Sequence, residues 1–196
     1  VLADRPALGV PFAFGFIDRF TAGFFALVGT LYFGNAFGLD PGAVGLTLAL
    51  FFGPFAVLQY PFGRLSDRVG RTAPIAAGSA TYGLAVLGVG LAPGVRLAQS
   101  GMVVVGVLGA LMAPATMALV TDLADDDERG VAMGGFNVAG SLGFLAGIVG
   151  GATIAARTDF EAAFLAVGLS EVLIAVVALP VLLRLSVPLM PWRDPE

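Results

Sequence analysis

The chain has 196 residues, 58% of them hydrophobic and only 12% charged, with a mean hydropathy of +0.93 and a net charge of -4. An ordinary soluble domain carries about 25% charged residues and could not hide this much apolar surface, so the composition points to an integral membrane protein. There is no Cys and no His, and every basic residue is Arg. That excludes disulfides, thiolate or imidazole metal and haem sites, histidine acid–base chemistry and a Schiff-base lysine.

A spanning helix needs ~20 mostly apolar residues. Six segments meet that length: about Val10–Phe33, Gly42–Phe62, Ala73–Leu91, Leu97–Val120, Val131–Ala155 and Ala162–Leu183. None alternates in polarity every second residue, as a membrane barrel strand would. An all-α integral membrane fold follows, because a helix satisfies its own backbone polar groups in hydrocarbon.

Taken in order, the first span is interrupted by Asp18-Arg19. Each charge would cost ~2.5–3.5 kcal/mol at a helix centre. Two readings stand. Either both side chains face a polar cavity, or the spanning part starts near Phe20 and both reach the interface. Asp40-Pro41 then reads as an N-cap and first-turn proline for the second helix. Between the second and third spans lies Gly63 to Thr72, expected as a loop, with three arginines at 64, 68 and 71. Ala92-Pro93-Gly94 makes a turn.

In the fourth span Pro114 removes a backbone donor and is expected to kink the helix, with Thr116 lining a cavity or serving helix packing. An acidic loop, 122–130, follows. In the fifth span Gly143, Gly147 and Gly151 repeat every four residues and share one face, which suits close helix contact. Asp159 reads as an N-cap for the sixth span. Within that span Glu171 falls near mid-membrane. It is either a coupling site that carries a proton or a carboxyl satisfied at a helix contact. Beyond Leu183, Pro188, Pro191 and Pro195 predict a coil from 184 to 196, with Trp192 as an interface anchor.

Six spans put both termini on one side. That side carries Arg5, Arg64, Arg68, Arg71, Arg129, Arg184 and Arg193, against Arg96 and Arg157 on the other. The arginine bias places both termini in the cytoplasm of a multi-pass cell-membrane protein.

With this placement the 63–72 stretch becomes specific. Gly63, Asp67, Arg68, Gly70 and Arg71 follow the pattern G-x-x-x-D-R-x-G-R, which resembles the signature loop of the major facilitator superfamily. The family usually has another base next, where this chain has Thr72. Ala110 to Asp122, followed by Glu128-Arg129-Gly130, is similar to the family's fourth or tenth helix and its loop. Gly140 to Gly151 is similar to the glycine-rich fifth or eleventh helix. The resemblance covers essentially the whole chain. It implies one six-helix half, built as a 3+3 inverted repeat, of a twelve-helix secondary transporter working by alternating access. The uncharged start of the fourth span, the non-Met start and the Pro-rich end favour the C-terminal half.

The resemblance also implies a conformational latch at 63–71, and a cavity lined from the first and fourth helices, where Asp18, Arg19 and Thr116 lie. Expected partners are the lipid bilayer, a small-molecule solute, a coupling proton and the other six-helix half, in the same chain, a homodimer or a second chain. Neither a metal, a cofactor nor a nucleic acid is expected, and a carrier rather than an enzyme. The alternative is a non-transporting membrane fragment or partner subunit.

Overall fold

A computed structural model describes residues 5–185. The C-terminal prolines, Trp192 and Arg193 lie outside them. Among the described residues, six helices are long and apolar enough to cross a membrane: α1 (Pro6–Phe37), α2 (Pro41–Val69), α3 (Thr72–Gly90), α4 (Val95–Leu123), α5 (Arg129–Arg157) and α6 (Phe160–Arg184). All but α3 extend beyond the apolar run that predicts them; α3 keeps the length of its run and starts one residue earlier.

Local chemistry sets the ends. Asp40 caps α2, its carboxylate accepting from the amides of Gly42 (2.8 Å) and Ala43 (3.1 Å). Asp159 caps α6, accepting from Ala162 N at 2.7 Å. These contacts satisfy amides that have no partner within the helix. Gly38, at φ +66°, lets the amides of Gly38 and Leu39 both turn back to the Phe33 carbonyl and close α1.

One expectation about regularity changes. The Asp18-Arg19 pair interrupts the apolar run but sits in regular helix. The irregularity lies a turn and a half later, where Phe25–Gly29 widens into a π-helical turn inside a continuous helix. The 63–72 stretch is mostly not a loop. Helix α2 runs on to Val69, and only Gly70 and Arg71 separate it from α3. Gly70 makes the break at φ +88°, a backbone that side chains with a Cβ rarely adopt. At the fourth span, α4 continues through Pro114.

The helices pack as α1 against α5, α2 against α4, and α3 against both α4 and α6. The α1–α5 seam is made by small residues. A Cβ added at Gly143 or Gly147 would overlap the carbonyl oxygens of Phe16 or Phe20, and one at Gly151 would press on the Phe24 ring. Backbone therefore meets backbone, which in lipid replaces the missing hydrophobic drive with close dispersion contact. Between α1 and α6, Phe24, Tyr32 and Phe164 pack edge to face, with centroids 4.8 Å (Phe24–Phe164) and 4.7 Å (Tyr32–Phe164) apart. The Tyr32 hydroxyl donates to the Val89 carbonyl at 3.0 Å, so its polar end is satisfied. The outer faces of α2 and α5 are open, with Leu46, Val57, Val138, Leu142 and Leu145 all exposed.

Candidate functional sites

Three polar places interrupt this apolar bundle. The first is at the arginine-rich end. Arg71, held in the tight turn after Gly70, points back across the end of α2. Its Nη1 donates to Asp67 Oδ1 and to Ser66 Oγ (3.1 Å), and its Nε donates to Asp122 Oδ2 at 2.9 Å. One guanidinium thus joins the last turns of α2 to the last turn of α4. Burial alone would lower the Arg71 pKa, but its hydrogen bonds and charge pairing with Asp122 and Asp67 outweigh this and hold it above its ordinary value. Arg68 is exposed in the last turn of α2, where a cation suits the negative end of the helix dipole. Gly63 faces Pro114, so α2 passes α4 at the proline. Nearby, Arg5 donates to Glu128 Oε2 (2.9 Å) and pairs with Asp125, tying the start of α1 to the turn before α5.

The second place is a shallow recess where α1, α4 and α5 meet. Phe14, Asp18, Arg19, Met112, Thr116 and Phe136 line it. The Asp18 side chain is 22% exposed and that of Arg19 is 54% exposed, with Arg19 Nε 4.0 Å from Asp18 Oδ2. That is a loose pair, in contact with open space. Both residues sit within regular helix on the bundle surface, not at a helix end. Thr116 spends its hydroxyl on the Met112 carbonyl at 3.0 Å, a bond within α4.

The third place is Glu171, and it is not on the recess wall. It is fully buried between α1, α3 and α6. Thr21 Oγ1 donates to its Oε1 at 2.8 Å, and Ser79 Oγ donates to its Oε2 at 3.0 Å. Asp18 lies within electrostatic range of both Glu171 and the buried Tyr82 hydroxyl. No sequence pattern brings Thr21 and Ser79 to Glu171; the packing of α1 and α3 against α6 does.

Sequence reading missed Asp122, Ser66, Thr21, Ser79 and Tyr82. One signal was available. Asp18 and Thr21 are three residues apart, so they share a helix face. Asp122 closes the 110–122 segment that carries the family resemblance, yet nothing local ties it to Arg71.

Comparison with known proteins supplies the family. The model of the major facilitator superfamily matches residues 12–196. The chain belongs to the major facilitator superfamily. A quinolone resistance transporter of Acinetobacter baumannii is 30% identical over 179 residues, covering 87% of this chain and 40% of that protein. The inner membrane transport protein YajR of Escherichia coli strain K12 is 29% identical over 127 residues, covering 65% of this chain and 28% of the relative. This superfamily chain therefore spans well under half the length of these curated relatives. In fold, it matches a crystal structure of the peptide transporter POT with a TM-score of 0.76 at 21% identity, over 92% of this chain and 39% of that one. A bacterial homologue of the lysosomal transporter Spinster, inward-facing and unoccupied, matches with a TM-score of 0.70 at 19% identity, over 97% and 44%. The chain is a multi-pass membrane protein of a transporter family.

Proposed function

We propose that this chain is one six-helix half of a secondary transporter that moves a small solute by alternating access. The observation that carries the reading is the Arg71 clasp. It joins two helices through ionic contacts at the bundle end, which can break and re-form without unpacking the apolar core. Gly63, Asp67, Arg68, Gly70 and Arg71 then serve as the latch. The recess holding Asp18, Arg19 and Thr116 is one wall of the solute path, completed by the other half.

The packing supports a 3+3 repeat. Exchanging α1 with α4 and α2 with α5 converts the α1–α5 pair into the α4–α2 pair. The contacts follow the exchange: a Cβ at Gly23 of α1 would strike the Phe144 carbonyl of α5, and one at Gly106 of α4 would strike the Phe51 carbonyl of α2. Orientation rests on the arginine bias, which favours a cytoplasmic location for the clasp end in a cell membrane. The chain has no native Cys. Single cysteines placed at Arg68 and Thr158 should therefore label cleanly from opposite sides of intact cells.

Aromatic rings and a loose pair of opposite charges suit a neutral or zwitterionic aromatic solute. A fluorescent quinolone, the class named for the Acinetobacter relative, is the first probe. In proteoliposomes the six-helix chain by itself should leave the quinolone gradient unchanged, and joining the other half should restore transport. Transport by the isolated chain would remove the need for a second half.

A further inference from the structure

At the end of the bundle opposite the Arg71 clasp, the last residues of α1 and α3 and the first turn of α6 enclose a cavity of about 510 Å³, a size that suits a small organic ligand. Tyr32, Phe37, Pro93, Asp159, Phe160 and Glu161 line it. Phe37 and Phe160 each meet the Tyr32 ring edge to face, with centroids 5.2 and 5.7 Å away and planes turned by 76° and 65°. Tyr32 is itself held in place, its hydroxyl 3.0 Å from the Val89 carbonyl and 3.3 Å from that of Gly90. A Cβ at Gly90 would strike the Phe164 ring, so the end of α3 is seated directly on α6. The aromatic wall is therefore fixed before anything binds. Helices α3 and α6 take no part in the Asp18 recess, which makes this a separate place.

The charges around this cavity have one sign. Helices α1 and α3 both end here, each bringing the negative end of its dipole. Helix α6 begins here, but its positive end is already taken: Asp159 accepts from Ala162 N at 2.7 Å, and Glu161 adds a second carboxylate in the first turn. Among the described residues no Arg lines the cavity, and neither carboxylate has an ion-pair partner. An anion is therefore repelled. A hard metal ion is poorly served as well, since calcium takes about six to eight oxygens and two carboxylates, one of them bound to an amide, fall short. A primary ammonium asks for three acceptors, whereas the Tyr32 hydroxyl is spent on backbone and much of the wall is rings. A cation wrapped in alkyl groups meets neither obstacle. Aromatic faces attract it without hydrogen bonds, and the exposed carboxylates offset its charge.

We propose that this cavity binds an alkylated ammonium group, with Tyr32, Phe37 and Phe160 around its methyl groups and Asp159 and Glu161 facing its charge. One ligand then ties the ends of α1, α3 and α6 together at the end of the bundle that the clasp does not reach. A free quaternary amine and a choline lipid headgroup share this chemistry, and the cavity lies where spanning helices end, within reach of both. The site stands without the transporter reading.

Equilibrium binding of radiolabelled choline to the full chain tests this, first in lipid-free detergent. Choline should bind, and dimethylbutanol, its neutral isostere with carbon in place of nitrogen, should displace it far less well than unlabelled choline. Glu161→Gln, an exposed and nearly isosteric change, and Phe160→Ala should each weaken binding about two- to fivefold. Bilayers separate the two sources. A site for a soluble amine takes up choline equally in phosphatidylcholine and phosphatidylglycerol membranes. A headgroup site takes it up only in phosphatidylglycerol, because phosphatidylcholine fills it otherwise. Either pattern supports the cation site. Absence of choline binding in both detergent and phosphatidylglycerol overturns it, as does equal displacement by the neutral isostere, or binding unmoved by Glu161→Gln. Loss of choline binding in a folded Asp18→Asn variant places the cation in the recess and also overturns it. Glu161→Gln decides the point even if Phe160→Ala does not insert. The readout is binding alone, so its failure leaves the transporter reading standing.

Discussion

At the arginine-rich end, a guanidinium sits between two aspartates; in the middle of the bundle, a carboxylic acid sits between two hydroxyls. The Arg71 side chain is 19% exposed and that of Asp122 is 27% exposed, and each compensates the charge of the other. Glu171 is fully buried, and its carboxyl oxygens accept from the Thr21 and Ser79 hydroxyls. The first cluster is stable because opposite charges meet where water still screens them. The second is stable because neutral donors meet an acid that can take up a proton. A clasp of the first kind breaks when helix ends move apart. The difference separates a charge cluster that water still reaches from an acid enclosed by packed helices.

The contrast can be broken most severely at position 171. Glu171→Lys puts a cation where only two hydroxyls await it, in a fully buried place that its longer stem overfills. A loss of several kcal/mol is expected for an unpaired buried charge, seen as loss of the folded species in detergent melting. A variant as stable as wild type would mean that the site is wetter than the geometry implies.

Arg71→Leu comes next. It leaves Asp122 and Asp67 without their partner at a half-buried place, and about 1–3 kcal/mol of stability should go. A double-mutant cycle with Asp122→Asn should recover much of that loss, since the clasp is shared; strict additivity would show that the two side chains do not act together.

Asp67→Asn should cost less, about 0–1 kcal/mol, because the Asp67 side chain is 63% exposed. Insertion should be intact while transport by the assembled carrier falls. Normal transport by this variant argues against the latch.

Smallest of all is Glu171→Leu. No ion pair is lost, and the Thr21 and Ser79 hydroxyls fall back on backbone carbonyls already beside them. Stability should stay within about 1 kcal/mol of wild type, with any pH dependence of transport abolished. Large destabilisation with unchanged pH dependence would make Glu171 a packing residue.

Much of the architecture was legible because its causes are local. Apolar runs of spanning length can only be helices in hydrocarbon. Asp40 and Asp159 cap the helices that directly follow them, so their role is written within three residues. The four-residue repeat of Gly143, Gly147 and Gly151 announces a face, although it does not say that α1 fills it. The stretch after Gly63 was harder. Its charges and glycines read as a loop, yet helix hydrogen bonds persist to Val69 because nothing before Gly70 requires a broken backbone.

What the sequence by itself determined is the solvent, the class of fold, the family and the place of its signature motif, since composition, span length and a contiguous motif carry them. Tertiary structure alone decided which groups meet. Thr21 and Ser79 reach Glu171 from 150 and 92 residues away, and Asp122 reaches Arg71 from 51 residues away. No local spacing encodes those separations. They arise from glycine seams that draw helix backbones together and so set which polar side chains share a buried face. The 63–72 stretch ends as a helix terminus pinned by one arginine, and Glu171, one polar residue in an apolar span, becomes the centre of a three-helix contact.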